Sequence, residues 1–218
     1  MMTSPRALVL DFGGVISRTL FETHAITEQA LSLPAGSLTW RGPFDPAGDP
    51  LWVAMQNDEI TERDYWARRT REVGALIGQD WTEMSQFVIA ARGADPGPVI
   101  RPEALAALDE AQAMGARLAI LSNELDLFYG SEFRQRLPFM QRFDVIVDAT
   151  YTHILKPDAR AYRGCAEALG LACEDCIFVD DQPRNIQGAD AVGMLTVLFD
   201  VQQPQQSFRQ ALDLLQRG

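Results

Sequence analysis

Five short apolar runs, at residues 7–10, 118–121, 145–147, 177–179 and 195–198, restrict the folds open to this chain more than any other feature. They are rich in Val, Ile and Leu and lack polar alternation, so the strands they predict have no wet face. Between the later runs lie segments with helical spacing, at 102–114, 125–136, 159–169, 185–192 and 207–216. Pro102 suits the first turn of a helix and Gly115 suits its end. Strand alternating with helix predicts an α/β fold: a Rossmann-like, doubly wound parallel sheet of five strands, covered on both faces.

The interval after the first run breaks this rhythm. An ordinary crossover needs only about a dozen residues, yet residues 17–97 intervene here. They carry their own helical patterns at 21–31, 61–77 and 81–91, the second opened by Thr61 with Asp64 three later as a capping box. A Pro/Gly-rich stretch at 34–50 lies within, Asp95-Pro96-Gly97-Pro98 closes the interval, and all four tryptophans (Trp40, Trp52, Trp66 and Trp81) fall inside it. The expected organisation is a core domain of residues 1–16 and 98–218 with a helical cap subdomain, 17–97, inserted between its first strand and first helix.

Charge and composition narrow the function classes. A net charge of −11 opposes nucleic-acid or anionic-membrane binding, which needs clustered Lys and Arg, but permits a small anionic substrate where one site gathers positive charge. No apolar run approaches the ~20 residues that span a bilayer. Only Arg6 precedes the first run, which ends in Asp11 and fits no secretory signal, so the cytoplasm is the expected location. Cys173 and Cys176 form a C-x-x-C without the second pair a zinc site needs, and Cys176 opens an apolar run as a small buried residue would. A homodimer through an exposed cap face is compatible with the sequence.

In a doubly wound sheet, ligands bind beyond the carboxyl ends of the strands. The first strand ends in Asp11, the second in Ser122-Asn123, and the fourth in Asp180-Asp181, followed by Gln182-Pro183-Arg184-Asn185. The loop after the third carries Lys156-Pro157-Asp158. Plainer readings exist for most: Ser122 as a helix cap, Asp180 and Asp181 as caps for the helix at Asn185, Lys156 as solvated surface. Asp11 resists this, since an acid ending a central strand is costly without partners. Capping also leaves unexplained why acid, hydroxyl, lysine and acid pair fall at one end of four strands. Their chemistry is mutually consistent. Carboxylates hold Mg²⁺, a hard cation that also takes phosphate oxygens, while Ser122 and Lys156 donate to the phosphate. Asp11 is placed to attack phosphorus, and Gly13 and Gly14 let backbone amides approach the phosphate.

The segments DFGGV, LSN, LKPD and FVDDQPRN resemble, in this order, the four motifs of the haloacid dehalogenase superfamily. The insertion sits where that family places a helical cap, and the resemblance spans nearly the whole chain. In flavour it is similar to the branch that includes the N-terminal phosphatase domain of soluble epoxide hydrolases. The resemblance implies a Mg²⁺-dependent hydrolase with Asp11 as nucleophile and metal ligand and Asp181 as the main fourth-motif ligand, supported by Asp180. It further implies a ligand from the Gly13 carbonyl, phosphate binding by Gly13, Gly14, Ser122, Asn123 and Lys156, and an orienting role for Asn185.

The first motif departs from the family in one respect. Phosphatases of this kind usually carry a second aspartate, which protonates the leaving alcohol, where this chain has Gly13. Three readings follow. A phosphatase with a weaker or relocated acid would favour activated phosphates, since losing a positioned donor costs about 10²–10⁴-fold. His24 or Glu59 from the cap are candidates for a relocated acid, although each also reads as plain surface. A metal-free 2-haloacid dehalogenase needs no such acid, but Asp180-Asp181 would then repel Asp11. A phosphate-binding or regulatory protein with negligible turnover is the third. The phosphatase, acting on a small phosphorylated metabolite, accounts for the most residues. In the cap, Trp40, Arg41, Phe44 and Trp52 are candidates for a pocket mouth, Trp66 fits a core face, and Arg184 is placed either for an anionic substrate or for solvent.

Overall fold

The computed structural model describes residues 6–92, 97–123 and 125–216. Asp95 and Pro96, expected to close the insertion, lie outside the described residues. In chain order, β1 (Ala7–Leu10) is followed by α1 (His24–Ala30), α2 (Pro50–Gln56), α3 (Glu62–Leu76) and α4 (Met84–Arg92). Next come α5 (Pro102–Ala113), β2 (Arg117–Ser122), α6 (Leu125–Tyr129), α7 (Ser131–Gln135), β3 (Val145–Asp148) and α8 (Ala149–Thr152). Then follow α9 (Ala159–Leu169), β4 (Cys176–Asp180), α10 (Pro183–Asp190), β5 (Leu195–Leu198) and α11 (Pro204–Gln216). The chain divides into two compact units. One takes in residues up to Arg18, Gly97–Asp126 and those from Ser131 onward; the other takes in Thr19–Pro96 and Leu127–Gly130.

In the first unit the strands form one all-parallel sheet in the order β3-β2-β1-β4-β5. This is the doubly wound, Rossmann-like sheet that the apolar runs predict. β1 is central, with Leu8 in register with Leu118 on one side and Ile177 on the other. Ala7, Val9, Ala119, Leu121, Cys176 and Phe178 share a face and pack against Ala161, Tyr162, Cys165 and Ala166 of α9 and Ala189 of α10. The small side chains let α9 lie close to the sheet. By strand alternation Leu8, Leu10, Leu118 and Ile120 turn to the opposite face, where α5 and α11 pack. Each such side chain, fully withdrawn from water, contributes about 1.5–3 kcal/mol. Cys165 and Cys176 are free thiols in this core; burial pushes both up to about 12, so they remain protonated packing groups. The strand order reverses between β1 and β4, which places a ligand crevice at their carboxyl ends.

The chain leaves this unit and re-enters it side by side. Ser17 bridges Ile100, Arg18 N–H donates to the Val99 carbonyl at 2.7 Å, and Arg101 N–H donates to Ile16 at 2.9 Å. A long excursion therefore begins and ends at one spot without disturbing the sheet.

The helical unit has its own aromatic core. Around the Phe21 ring stand Trp52 at 5.3 Å, Trp66 at 5.4 Å and Trp40 at 5.5 Å between centroids, with Tyr65 at 6.1 Å. α3 opens with the expected capping box, Thr61 Oγ1 accepting from Asp64 N–H and Asp64 Oδ2 accepting from Thr61 N–H. α2 begins at the last residue of the Pro/Gly-rich stretch, because Asp49 accepts from Trp52 N–H as its cap and Pro50 fills its first turn. Two sequence expectations need correction. The helix expected at 125–136 is two, α6 and α7, broken where Gly130 takes φ +78°. The helix expected from residue 81 starts at Met84, since the Gln86 side chain accepts from Thr82 and Glu83 N–H and leaves Trp81 outside to stack on Phe87.

Candidate active site

The site is built where β1 and β4 end. Asp11 N–H donates to the Val179 carbonyl at 2.9 Å, prolonging the ladder one residue past β1. The chain then makes one wide turn over Phe12–Ile16, closed by Ser17 N–H on the Phe12 carbonyl. Gly14 within it has φ +81°, and a Cβ there would lie 2.9 Å from Asp181 Cγ and collide with its carboxylate. A glycine is therefore required to seat Asp181 against the turn. Gly13 differs: its φ of −72° is ordinary, and an added Cβ would meet nothing within 4 Å. No steric reason accounts for the absence of an acid at that position.

Lys156 joins the two strand ends. Its side chain is almost wholly buried, and Nζ donates to Asp11 Oδ1 at 2.8 Å and to Asp180 Oδ2 at 2.6 Å. Burial works against its charge, yet Asp11 and Asp180 together hold the ammonium above the ordinary lysine range. Burial pushes the Asp11 carboxyl up to about 7 against the pull of Lys156, and repulsion from Asp180 adds to the push. One lysine shared between two carboxylates leaves negative charge in excess. Asp181 adds a third: Asp11, Asp180 and Asp181 each offer an oxygen, all within 4.8 Å of one another.

The remaining predicted residues hold this arrangement in place. Asp180 Oδ1 accepts from Gln182 N–H, and both its oxygens accept from Asn185 Nδ2 at 3.0 and 3.1 Å. α10 has Gln182 at its cap position with no side-chain cap bond, and Asp180 reaches Lys156 and Asn185 instead of serving as a plain helix cap. The Asn185 carbonyl accepts from Tyr162 Oη at 2.8 Å. Asn123 clasps the backbone of Lys156, accepting from its N–H at 2.7 Å and donating to its carbonyl at 3.1 Å. Ser122 is buried at the end of β2, and Asp158 caps α9. The Lys156–Pro157 peptide is cis. Pro157 packs so closely on α10 that a Cβ at Gly188 would lie 2.8 Å from its own Cβ.

Three carboxylates around one lysine, with Asp181 cradled over Gly14, form a donor set suited to a hard divalent cation such as Mg²⁺. Asn185 Oδ1, buried and without a hydrogen-bond partner among the described residues, is a further acceptor beside them. Asp180 is largely committed to Lys156, Asn185 and Gln182.

The candidate relocated acids fare differently. Glu59 is exposed. His24 is not surface: it is 8% exposed, with its ring 4.4 Å from that of Trp40. Burial, with help from Arg41, lowers it to about 4, so it is a neutral group at pH 7 and no proton donor there. Trp40 is buried in the aromatic core rather than at a mouth, while Phe44 and Trp52 are half-buried and Arg41 and Arg184 exposed. Trp66 packs on Phe21, as a core face requires. Sequence reasoning missed Arg101, which is buried and donates from Nε to the Gly14 carbonyl at 3.0 Å, fixing the turn from behind. It also missed Asp148, although an acid ending β3 repeats the signal that singled out Asp11 and Asp180.

A family model for haloacid dehalogenase-like hydrolases matches residues 5–193. Acyl-CoA dehydrogenase family member 10 of Mus musculus is 27% identical over 199 residues, 90% of this chain and 18% of that protein. Phosphatase MT3486 of Mycobacterium tuberculosis is 34% identical over 99 residues, 45% of this chain and 46% of that protein. The chain thus spans less than half the length of these two relatives. Sesquiterpene phosphatase astK of Aspergillus oryzae is 25% identical over 198 residues, covering 89% of this chain and 90% of its own. Among solved structures, a HAD-superfamily hydrolase of subfamily IA from Geobacter sulfurreducens shares the fold with a TM-score of 0.60 at 16% identity, over 97% of this chain and 96% of that one. An L-2-haloacid dehalogenase does so with a TM-score of 0.59 at 20% identity, over 98% of this chain and all of the other.

Proposed function

The chain belongs to the haloacid dehalogenase-like hydrolases, and on that premise we propose that it is a Mg²⁺-dependent phosphoric monoester hydrolase. The observation that carries the reading is the cluster of carboxylates: Asp11, Asp180 and Asp181 each offer an oxygen within 4.8 Å of the others, beside a lysine that bonds Asp11 and Asp180. A metal-free dehalogenase gains nothing from an acid pair beside its nucleophile, and Asp180 repels Asp11. Relatives named as phosphatases point the same way.

When bound, Mg²⁺ supplies the charge that lets a carboxylate approach an anionic phosphate. Lys156 holds Asp11 in place and donates to a phosphate oxygen together with the Ser122 hydroxyl. A carboxylate oxygen of Asp11 attacks phosphorus, the bond to the leaving oxygen breaks, and an aspartyl phosphate forms. Because Gly13 offers no proton, the leaving oxygen takes one from water. Water then attacks phosphorus, restoring Asp11 and releasing inorganic phosphate. The substrate class that follows is a small phosphate with a leaving group stable as an anion, such as an aryl, acyl or sugar-1-phosphate.

Aryl phosphate hydrolysis with and without Mg²⁺ tests the reading. Metal-dependent turnover is expected, and Asp11→Asn should lower it by about four orders of magnitude without lowering the melting temperature. Gly13 also suits halide, a leaving group that takes no proton. Metal-independent halide release from a 2-haloacid would select that chemistry instead.

A further inference from the structure

We infer that Asp148, which no motif includes, is a positioning residue for phosphate binding, tying together the two segments that carry Ser122-Asn123 and Lys156. The role rests on the phosphatase reading for its functional half. Asp148 ends β3, is 3% exposed, and stands in register with Ser122 across the sheet. Its two oxygens reach into different helices. Oδ1 accepts from Thr150 N–H at 2.9 Å and so caps α8, the helix that leads to Lys156. Oδ2 accepts from Asp126 N–H at 2.9 Å in α6, the helix that follows Ser122-Asn123.

Arg134 closes the arrangement, donating from one nitrogen to Asp148 Oδ2 at 2.8 Å and from Nε to Asp126 Oδ1 at 2.7 Å. Tyr151 of α8, though 62% exposed, places its hydroxyl on Asp126 Oδ2 at 2.6 Å. A capping acid needs only its own helix. This one bonds the backbone of two helices, and its partners bond each other across the same gap. The Asn123 clasp on Lys156 is a further tie between the two segments. A hydroxyl from one segment and an ammonium from the other must converge on one phosphate, so the distance between the segments sets how well both donors fit it. Asp148 fixes that distance from behind, its carboxylate bonding to Thr150, Asp126 and Arg134. Asp11 and Asp181 sit on the turn after β1 and at the end of β4, so the cation ligands do not depend on it.

The test compares wild type with Asp148→Ala, Asp148→Asn and Arg134→Gln. The KM for an aryl phosphate should rise about 10- to 100-fold in Asp148→Ala. The rise should be smaller in Asp148→Asn, which keeps one acceptor, while the Mg²⁺ concentration for half-activation stays within about twofold of wild type. Amide hydrogen exchange in the unliganded proteins should show segments 125–129 and 149–156 losing protection together. Loosening of only one segment, or a lower kcat at unchanged KM, would overturn the inference. If wild type hydrolyses no phosphate ester, the phosphatase reading fails. The exchange data then still decide whether Asp148 ties the two segments.

Discussion

Asp49 heads α2 in the helical unit and Asp11 ends β1 in the sheet unit, and both are withdrawn from water, but their surroundings answer them differently. Asp49 is wholly buried and saturated. It accepts from Gly42 and Trp52 N–H, from Tyr65 Oη at 2.7 Å and from Arg69 at 2.5 Å, a guanidinium lying over the Trp40 and Tyr65 rings. Donors match acceptors, and the opposite charge is local. Asp11 is 14% exposed, faces two further carboxylates and shares its lysine with one of them. A buried acid whose charge is fully met by its own fold organises structure. One whose neighbours leave charge unmet has capacity for something the chain does not supply. The same residue type thus reads as architecture in one unit and as chemistry in the other.

The comparison breaks first at Asp49. Asp49→Ala should cost about 3–5 kcal/mol in denaturant unfolding, because Arg69 and Tyr65 lose a buried partner. A loss below 1 kcal/mol would mean the helical unit does not depend on that acid. The next largest effect is a gain. Gly13→Asp meets open space, so it should fold normally and raise kcat on simple alkyl phosphates by about 10²-fold. A smaller gain on aryl phosphates is expected, and equal gains on both would show that leaving-group protonation is not what this chain lacks.

The smallest effect concerns His24. Its folded-state value lies near 4 and its unfolded value near 6.5, so between these pH values the unfolded chain binds the extra proton. Stability is complete above pH 6.5 and is lost as pH falls toward 4, by about 1–2 kcal/mol. A His24→Gln variant should lack this slope. An unchanged slope would place the titration elsewhere.

The three inner strands, β1, β2 and β4, were legible because they are buried on both faces, so each apolar run is uninterrupted and its end is marked by the first polar residue. Asp11, Ser122 and Asp180 could be placed for that reason. What stayed hidden depends on partners far away in the chain or on single residues that override a pattern. Arg101 acts on Gly14, and Asp148 on Asp126 and Arg134, contacts that no periodicity reports. Gly130 interrupts an otherwise continuous helical pattern, and Asp49-Pro50 starts a short helix outside the segments with helical spacing. Asn123 illustrates a different limit: the motif puts it beside the phosphate, while the structure shows its amide engaged on the Lys156 backbone. Among the described residues no helix is long and apolar enough to cross a membrane.

Calorimetric titration of the resting protein with Mg²⁺ addresses the carboxylate cluster most directly. Saturable binding that is abolished in Asp181→Ala and in Asp11→Ala, while Asp49→Asn retains it, is the predicted result. Absence of binding at millimolar Mg²⁺, or binding that survives both substitutions, would contradict it.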